Sequence, residues 1–564
     1  MNYPSIEDRA MDRGAEVLDS LAAAAPFRPL GYDHEHYYFL PARTQQIATL
    51  AAPSLKTDAN LMRLAPLEYW EAHYPTKKGV AWQEAMADLM EHCHAAGPYD
   101  PRRVRGRGAW DDGGQAVLHL GDRLLVDNAP VPFHAYPGRF IYERRRPLET
   151  RMAARPATAA EATRYGELLE RLHWVRPTDS LFAGGFAFLA PICGALKWRP
   201  HVFLTGPRGC GKSYVLESMI APVLGPEAFL VEGTTTEAGI RQDMQADALP
   251  VIFDEIEVQA KRGDDRRIQG IFELARLASS DSSARVVKGS GSGDAISFRC
   301  RSMFLFGAVN VSIKAAADAS RISILHLRKP PPGEEGTKHF RDLENAVADL
   351  MTDDYLGSLR ARAYHMIPVI RQSSRVFADA LAAELGEQRL GDQVGTLLAG
   401  AFAMLRDGPV TEGQAADVIS MLDLSSARES QEVSDEQACL EEILAHQVRV
   451  ETDRTTVTRS LGSLLLTASR SESDDAVQSG EAEAVLARHG VRIAIRGQPG
   501  CFAVANRHRA IRGALGDTVW RDDWAEILSR LPGSRRHSGV RFGPIRGRAI
   551  LLPVTLVSSP EALE

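Results

Sequence analysis

Eight consecutive residues, Gly206, Pro207, Arg208, Gly209, Cys210, Gly211, Lys212 and Ser213, satisfy the pattern G-x-x-x-x-G-K-[ST]. In that pattern the glycines let backbone N–H groups turn toward phosphate oxygens, the lysine reaches the β- and γ-phosphates, and the serine hydroxyl suits Mg²⁺. An apolar run at 201–205 precedes the motif and a helical pattern at 214–220 follows it. The loop therefore joins a strand to a helix N-terminus and gains that end's partial positive charge. On this reading ATP is the substrate and Mg²⁺ the cofactor; a Gly-rich turn that holds nothing is the plainer alternative.

Further along, Pro250-Val251-Ile252-Phe253 runs into Asp254 and Glu255. Two acids at the end of an apolar strand suit an ATPase: Asp254 for the outer shell of the Mg²⁺ that Ser213 would ligate, and Glu255 to orient or deprotonate the attacking water. The competing reading is a solvated acidic helix start. The apolar run at 303–309 ends in Asn310, placed to hold that water or, more plainly, to cap the next helix. Asp318-Ala319-Ser320-Arg321 comes before the last apolar run, and an arginine there can reach a neighbouring subunit's nucleotide, where a trans arginine is worth about 10³–10⁵ in rate. A surface ion pair with Asp318 is the alternative. Between these pieces, 284–299 reads as two short β-like runs around a Gly/Ser tip. Lys288, Ser290 and Ser292 are there the candidate contacts to the phosphates of a single strand.

The order of these motifs resembles the superfamily 3 helicases of the AAA+ class. Residues 232–242, which include Thr234-Thr235-Thr236-Glu237, together with 247–255 and 287–289, are more closely similar to the helicase part of phage, plasmid and integrated-element primase-helicases. The resemblance covers about residues 180–330, with fainter echoes at 31–33, 118–124 and 520–532. It implies a ring, a hexamer by the family's habit, with Lys288 in the channel and Arg321 crossing the subunit interface. The implied activity is an ATP-dependent DNA helicase that translocates on single-stranded DNA in the replication of a phage or mobile element. An AAA+ ATPase that remodels a partner or senses nucleic acid, for instance in defence against phage, is the alternative. Residues 1–150 lack the clustered acids and histidine of a primase, Asp111-Asp112 reading as part of a turn, so any primase would act in trans.

The elements that must position this chemistry alternate helix with short apolar run between about 160 and 330, which predicts a parallel α/β sheet. The fold class expected is thus an α/β P-loop AAA+ core at 158–335. An N-terminal α+β accessory domain would occupy 1–150, with hairpins at 37–50 and 116–126. A helical region would occupy 336–430, and a basic, winged-helix-like C-terminal domain 431–564.

Sixty-six Lys and Arg against 73 Asp and Glu leave a net charge of −7, so no bulk positive field marks a nucleic-acid binder. Basic stretches are local, at 102–107, 139–146 and among the aromatics of 502–548; the last is the candidate for duplex origin DNA, or else a solvated basic face. Six scattered cysteines without a CxxC pair suit a reducing cytoplasm. The apolar stretch 181–196 is interrupted by Gly184, Gly185, Pro191 and Gly194 and reads as a buried helix, with no membrane partner expected.

Overall fold

The structure, a computed structural model, describes residues 26–127, 129–150, 152, 153, 155–231, 235–254, 264–280, 286–289, 295–298, 300–309, 313, 316–424, 435–451, 456–469, 478–493, 495–516, 518 and 520–557. The chain divides into two compact units, Met1–Leu424 and Ser425–Glu564.

In the first unit, a three-stranded antiparallel sheet (Phe27–Tyr32, His36–Pro41, Ala48–Ala51) closes over Trp70 and the inner face of helix Trp82–Ala96. An antiparallel meander follows, in the order Gly108–Asp112, Gln115–His119, Leu124–Val126, Ala129–Val131. Both hairpins expected from the sequence are present. Asp111 and Asp112 are a correction: they finish a strand, and the turn is made by Gly113 and Gly114, whose φ values of 67° and 101° demand glycine. Asp112 is buried and accepts from the backbone N–H of Arg139 and Phe140 at 3.1 and 3.2 Å, while Asp111 pairs with Arg371.

The central sheet has five parallel strands: β1 (His201–Thr205), β2 (Phe229–Val231), β3 (Val251–Phe253), β4 (Phe304–Ala308) and β5 (Ile322–His326), in the spatial order β2-β3-β4-β1-β5. Every residue of β1, β3 and β4 is buried, as expected for strands covered on both faces. Phe203, Phe253 and Phe306 line one face and pack on helix Asp264–Ala278, whose Ile268, Ile271, Phe272 and Ala275 form the inward stripe read from the sequence.

Helix Pro177–Leu189 and the 3-10 turn Ala190–Ala195 form the one stretch among the described residues long and apolar enough to cross a bilayer, but it is a core element. It packs so closely on helix Gln388–Leu405 that a Cβ at Gly185 would lie 2.2 Å from the Leu397 carbonyl oxygen. Strand Gly108–Asp112 lies against the same 3-10 turn, where a Cβ at Gly194 would come 2.5 Å from the Ala109 carbonyl oxygen.

The second unit runs helix Asp435–Ala445, hairpin Gln447–Glu451 with Thr456–Ser460, and helices Leu461–Ser469 and Ser479–Arg488. A four-stranded antiparallel sheet follows, in the order Val491–Arg492, Cys501–Ala505, Ile545–Pro553, Arg535–Phe542. Its core gathers Phe502, Trp524, Val540, Phe542 and Leu552, with the Trp524 indole N–H donating to the Ala505 carbonyl at 2.8 Å.

Candidate functional site

The loop 206–213 leaves the carboxyl end of β1, and helix begins at Lys212. Gly209 and Gly211 take φ values of 79° and 90°, the left-handed backbone that turns successive N–H groups to one side. Gly206 is packed tightly: a Cβ there would meet the Leu327 carbonyl oxygen at 2.6 Å and the Cys210 sulfur at 2.8 Å. The Lys212 ammonium folds back over the loop and donates to the Gly206 carbonyl at 2.9 Å. Pro207, Arg208 and Ser213 are exposed. Directly after the loop, residues Val215–Ile220 wind as a π-helix with Val215, Leu216, Met219 and Ile220 buried. Such widened turns are rare and recur at functional sites.

Register sets Asp254 level with Leu204 of β1, two residues before the loop, with β4 between them. Phe203, Phe306 and Phe253 are paired across β1, β4 and β3, so Asp254 is level with Gly307 on β4, one residue short of the end of that strand. A Cβ on Gly307 would stand 2.7 Å from Leu216 Cδ1 and 3.3 Å from Asp254 Oδ1. Gly307 is therefore where the post-loop helix and the acid share one small space, a role the sequence signals only as a lone glycine in an apolar strand. The end of β4 is tied to the start of the loop by Thr205, whose hydroxyl donates to the Val309 carbonyl at 2.8 Å. Glu255 and Asn310, and the hairpin-tip residues Ser290 and Ser292, lie outside the described residues.

Arg321 is at the other end of the sheet. Its carbonyl accepts from the His201 N–H at 3.3 Å, at the start of β1, so the five residues of β1 separate it from its own loop by about 16 Å. The guanidinium is half-buried, donates to the Ala317 carbonyl, and is held down to about 10 by burial and then by the positive charges of Arg389 and Arg276. The ion pair with Asp318 is made by Arg276 at 3.5 Å. Sequence reasoning missed this arginine cluster because its members come from three separate helices or helix ends. Lys288 lies on strand Val286–Gly289, which pairs antiparallel with Ala295–Phe298 and sets Lys288 opposite Ile296, so the hairpin expected there is present.

In the N-terminal arginine runs, Arg102, Arg103, Arg105, Arg107 and Arg145 are engaged by the protein itself, while Arg139, Arg144 and Arg146 are exposed. Arg102 pairs with Asp100 at 2.6 Å, Arg103 donates to the Arg139 carbonyl, and Arg105 lies 3.6 Å over the Phe140 ring. Arg107 grips Asp247, in the segment leading to β3, through its backbone N–H at 2.6 Å and through Nε and Nη2 at 2.8 and 2.6 Å. Arg145 adds a second charge to the buried Asp247 at 3.7 Å.

No protein-family model matches the chain, and no curated protein matches it. Among solved structures it is similar to an active helicase, Cch of SCCmec type IV, at 11% identity and a TM-score of 0.47, over 93% of this chain and 92% of that one. It is also similar to the apo A form of the NrS-1 C-terminal region, at 11% identity and a TM-score of 0.26, over 78% of this chain and 98% of that one.

Proposed function

We propose that the protein is an ATP-dependent, ring-forming DNA helicase that translocates on single-stranded DNA in the replication of a phage or mobile genetic element. The observation that carries this reading is the order of the central sheet. β4 lies between β1, which feeds the glycine loop, and β3, which stops just before Asp254, so Asn310, two residues past β4 in the sequence, follows a strand flanked by loop and acid. An AAA+ hydrolase of the resembled family needs that arrangement.

The residues fit ATP and Mg²⁺ by their donor chemistry. Two left-handed glycines and the following helix N-terminus offer N–H groups to phosphate, while a serine hydroxyl and a carboxylate are the hard oxygen donors that magnesium favours. Ser213 and Asp254 would hold the ion, which supplies charge neutralisation on the phosphate oxygens. Lys212 would exchange the Gly206 carbonyl for phosphate oxygen. Glu255 orients and deprotonates the water, and Asn310 holds it. Arg321, some 16 Å from its own loop, serves a neighbour's site, and this is the reason to expect a ring rather than a monomer. Lys288, with Ser290 and Ser292 of the tip, follows the strand's phosphates.

The test is unwinding of a forked DNA by the full chain with ATP and Mg²⁺. Wild type should unwind. Lys212→Ala and Glu255→Gln should lose both hydrolysis and unwinding, whereas Lys288→Ala should keep basal hydrolysis and lose unwinding. Unwinding by Lys288→Ala at the wild-type rate would overturn the hairpin assignment. A wild-type chain that hydrolyses ATP without regard to single-stranded DNA, and opens no fork, would favour the remodelling or sensing ATPase instead.

A further inference from the structure

The second unit carries a basic β-ribbon with an apolar tip. Strands Arg535–Phe542 and Ile545–Pro553 are joined by a tight turn at Gly543, φ 57°, and Pro544. Residues 549–553 also pair with Cys501–Ala505, and the Arg548 carbonyl accepts from the Asn506 N–H at 2.9 Å, so 545–547 belong to a ribbon of two strands. Val540 and Phe542 point into the core. On the other face Arg541 and Arg546 are directly opposite one another in register, both exposed, and Arg548 follows two residues along on that face. Arg492 comes to the same end, donating to the Arg541 carbonyl at 3.2 Å. Gly539 leaves room for the Arg546 guanidinium, whose nitrogens would stand 3.0 Å from a Cβ there. Beside the turn, Ile545 is 58% exposed.

Like charges placed directly across a strand pair cost stability, and among the described residues Arg541, Arg546 and Arg548 have no acidic partner. The arginines nearer the body differ: Arg536 pairs with Glu526 and Arg512 with Asp522. The facing pair Arg541 and Arg546 thus lacks the acidic neighbours that Arg536 and Arg512 have. Its complement is an anion that takes planar, two-pronged donors, and phosphate diesters are such an anion. A two-stranded ribbon fits the major groove of B-form DNA. The helix that would read the groove in a winged-helix arrangement, Ser479–Arg488, carries Glu481 and Glu483 and a single arginine at its end, and so has the wrong charge for that task.

We propose that this ribbon is a duplex-DNA contact of the protein, with Arg541, Arg546 and Arg548, on one face, meeting the phosphates. The contact is independent of ATP hydrolysis and separate from the single-strand site above.

The experiment measures binding of the full chain, without nucleotide, to a labelled 30-base-pair DNA across a KCl series, beside a single strand and an RNA duplex of the same length. Arg541→Ala/Arg546→Ala should bind duplex DNA at least about 10-fold more weakly, with a log–log salt slope shallower by about two, since each phosphate contact contributes about 0.9. Arg541→Lys/Arg546→Lys should keep the slope, which separates lost charge from lost folding. Lys212→Ala should bind duplex as wild type does. Wild-type affinity and slope in the double alanine variant, or a loss confined to the single strand, would overturn the proposal. Equal binding of the RNA duplex, whose major groove is too narrow for a ribbon, would also overturn it. A chain that binds duplex through the ribbon yet never hydrolyses ATP would leave the ribbon standing and overturn the helicase reading alone.

Discussion

Gly307 concentrates the chemistry of the sheet into one missing methyl group. Alanine there must displace Leu216 or push Asp254, because its Cβ would lie 2.7 Å from one and 3.3 Å from the other. Misplacement of a reacting group by about 1 Å costs on the order of 10²-fold. Gly307→Ala should therefore lower the hydrolysis rate by about 10- to 100-fold while nucleotide affinity stays within a few-fold, as a turnover assay beside a fluorescent-nucleotide titration would read. The buried histidines make a second residue-level prediction. His119 Nδ1 accepts from the Gly121 N–H and Nε2 faces the Glu143 carbonyl; His201 Nδ1 accepts from the Phe304 N–H and Nε2 faces the Ala275 carbonyl. A second proton would point Nδ1–H at a backbone N–H in either case. Burial holds the two rings down to about 4 and about 3. The unfolded chain takes up their protons near pH 6.5 and the folded chain does not. Their stabilisation is complete above that pH and falls as pH drops toward 4, by up to about 2.7 kcal/mol per pH unit for the two together. Denaturant titrations at pH 7, 6 and 5 that return one unfolding free energy would refute this.

At the scale of elements, the grip of Arg107 on Asp247 joins the N-terminal meander to the segment entering β3. Arg107→Ala removes both guanidinium bonds and leaves the buried carboxylate only the backbone N–H of residue 107 and Arg145 at 3.7 Å, so the variant should lose about 3 kcal/mol of stability, the low end for breaking a buried pair. The double variant Arg107→Met/Asp247→Leu should recover most of that loss in a thermal or denaturant melt. How legible such features were in the sequence follows from their range. The loop, the strand ending in Asp254, the helix stripe through Ile268 and Phe272 and the Lys288 hairpin are local patterns, and each was readable from spacing alone. The Arg107 grip joins residues 140 positions apart, and a run of arginines looks the same whether it meets solvent or a buried aspartate. The ribbon was hidden for a related reason: only register shows that Arg541 faces Arg546. Asp112 misled because strand and turn differ there by a single residue.

At the scale of the whole molecule, Arg321 and the glycine loop are at opposite ends of one sheet, so each chain would hold two incomplete halves of a site. Arg321→Ala subunits alone and Lys212→Ala subunits alone should both be nearly inactive. Mixed in equal amounts, they should regain measurable hydrolysis, because an intact loop can then meet an intact arginine from a neighbour. A mixture no more active than its parts would show that Arg321 acts only within its own chain, as a structural member of the cluster with Arg276 and Arg389.

The close seating of strand Gly108–Asp112 on the turn around Gly194 also bears on how the molecule can be taken apart. A recombinant fragment beginning near residue 158 would contain every motif of the proposed nucleotide site. It would also uncover the groove that Ala109 and Trp110 fill, and leave Asp247 without Arg107 or Arg145. The smallest piece fit for bench work on hydrolysis therefore starts upstream of residue 108, although every sequence motif of the proposed site lies beyond residue 200.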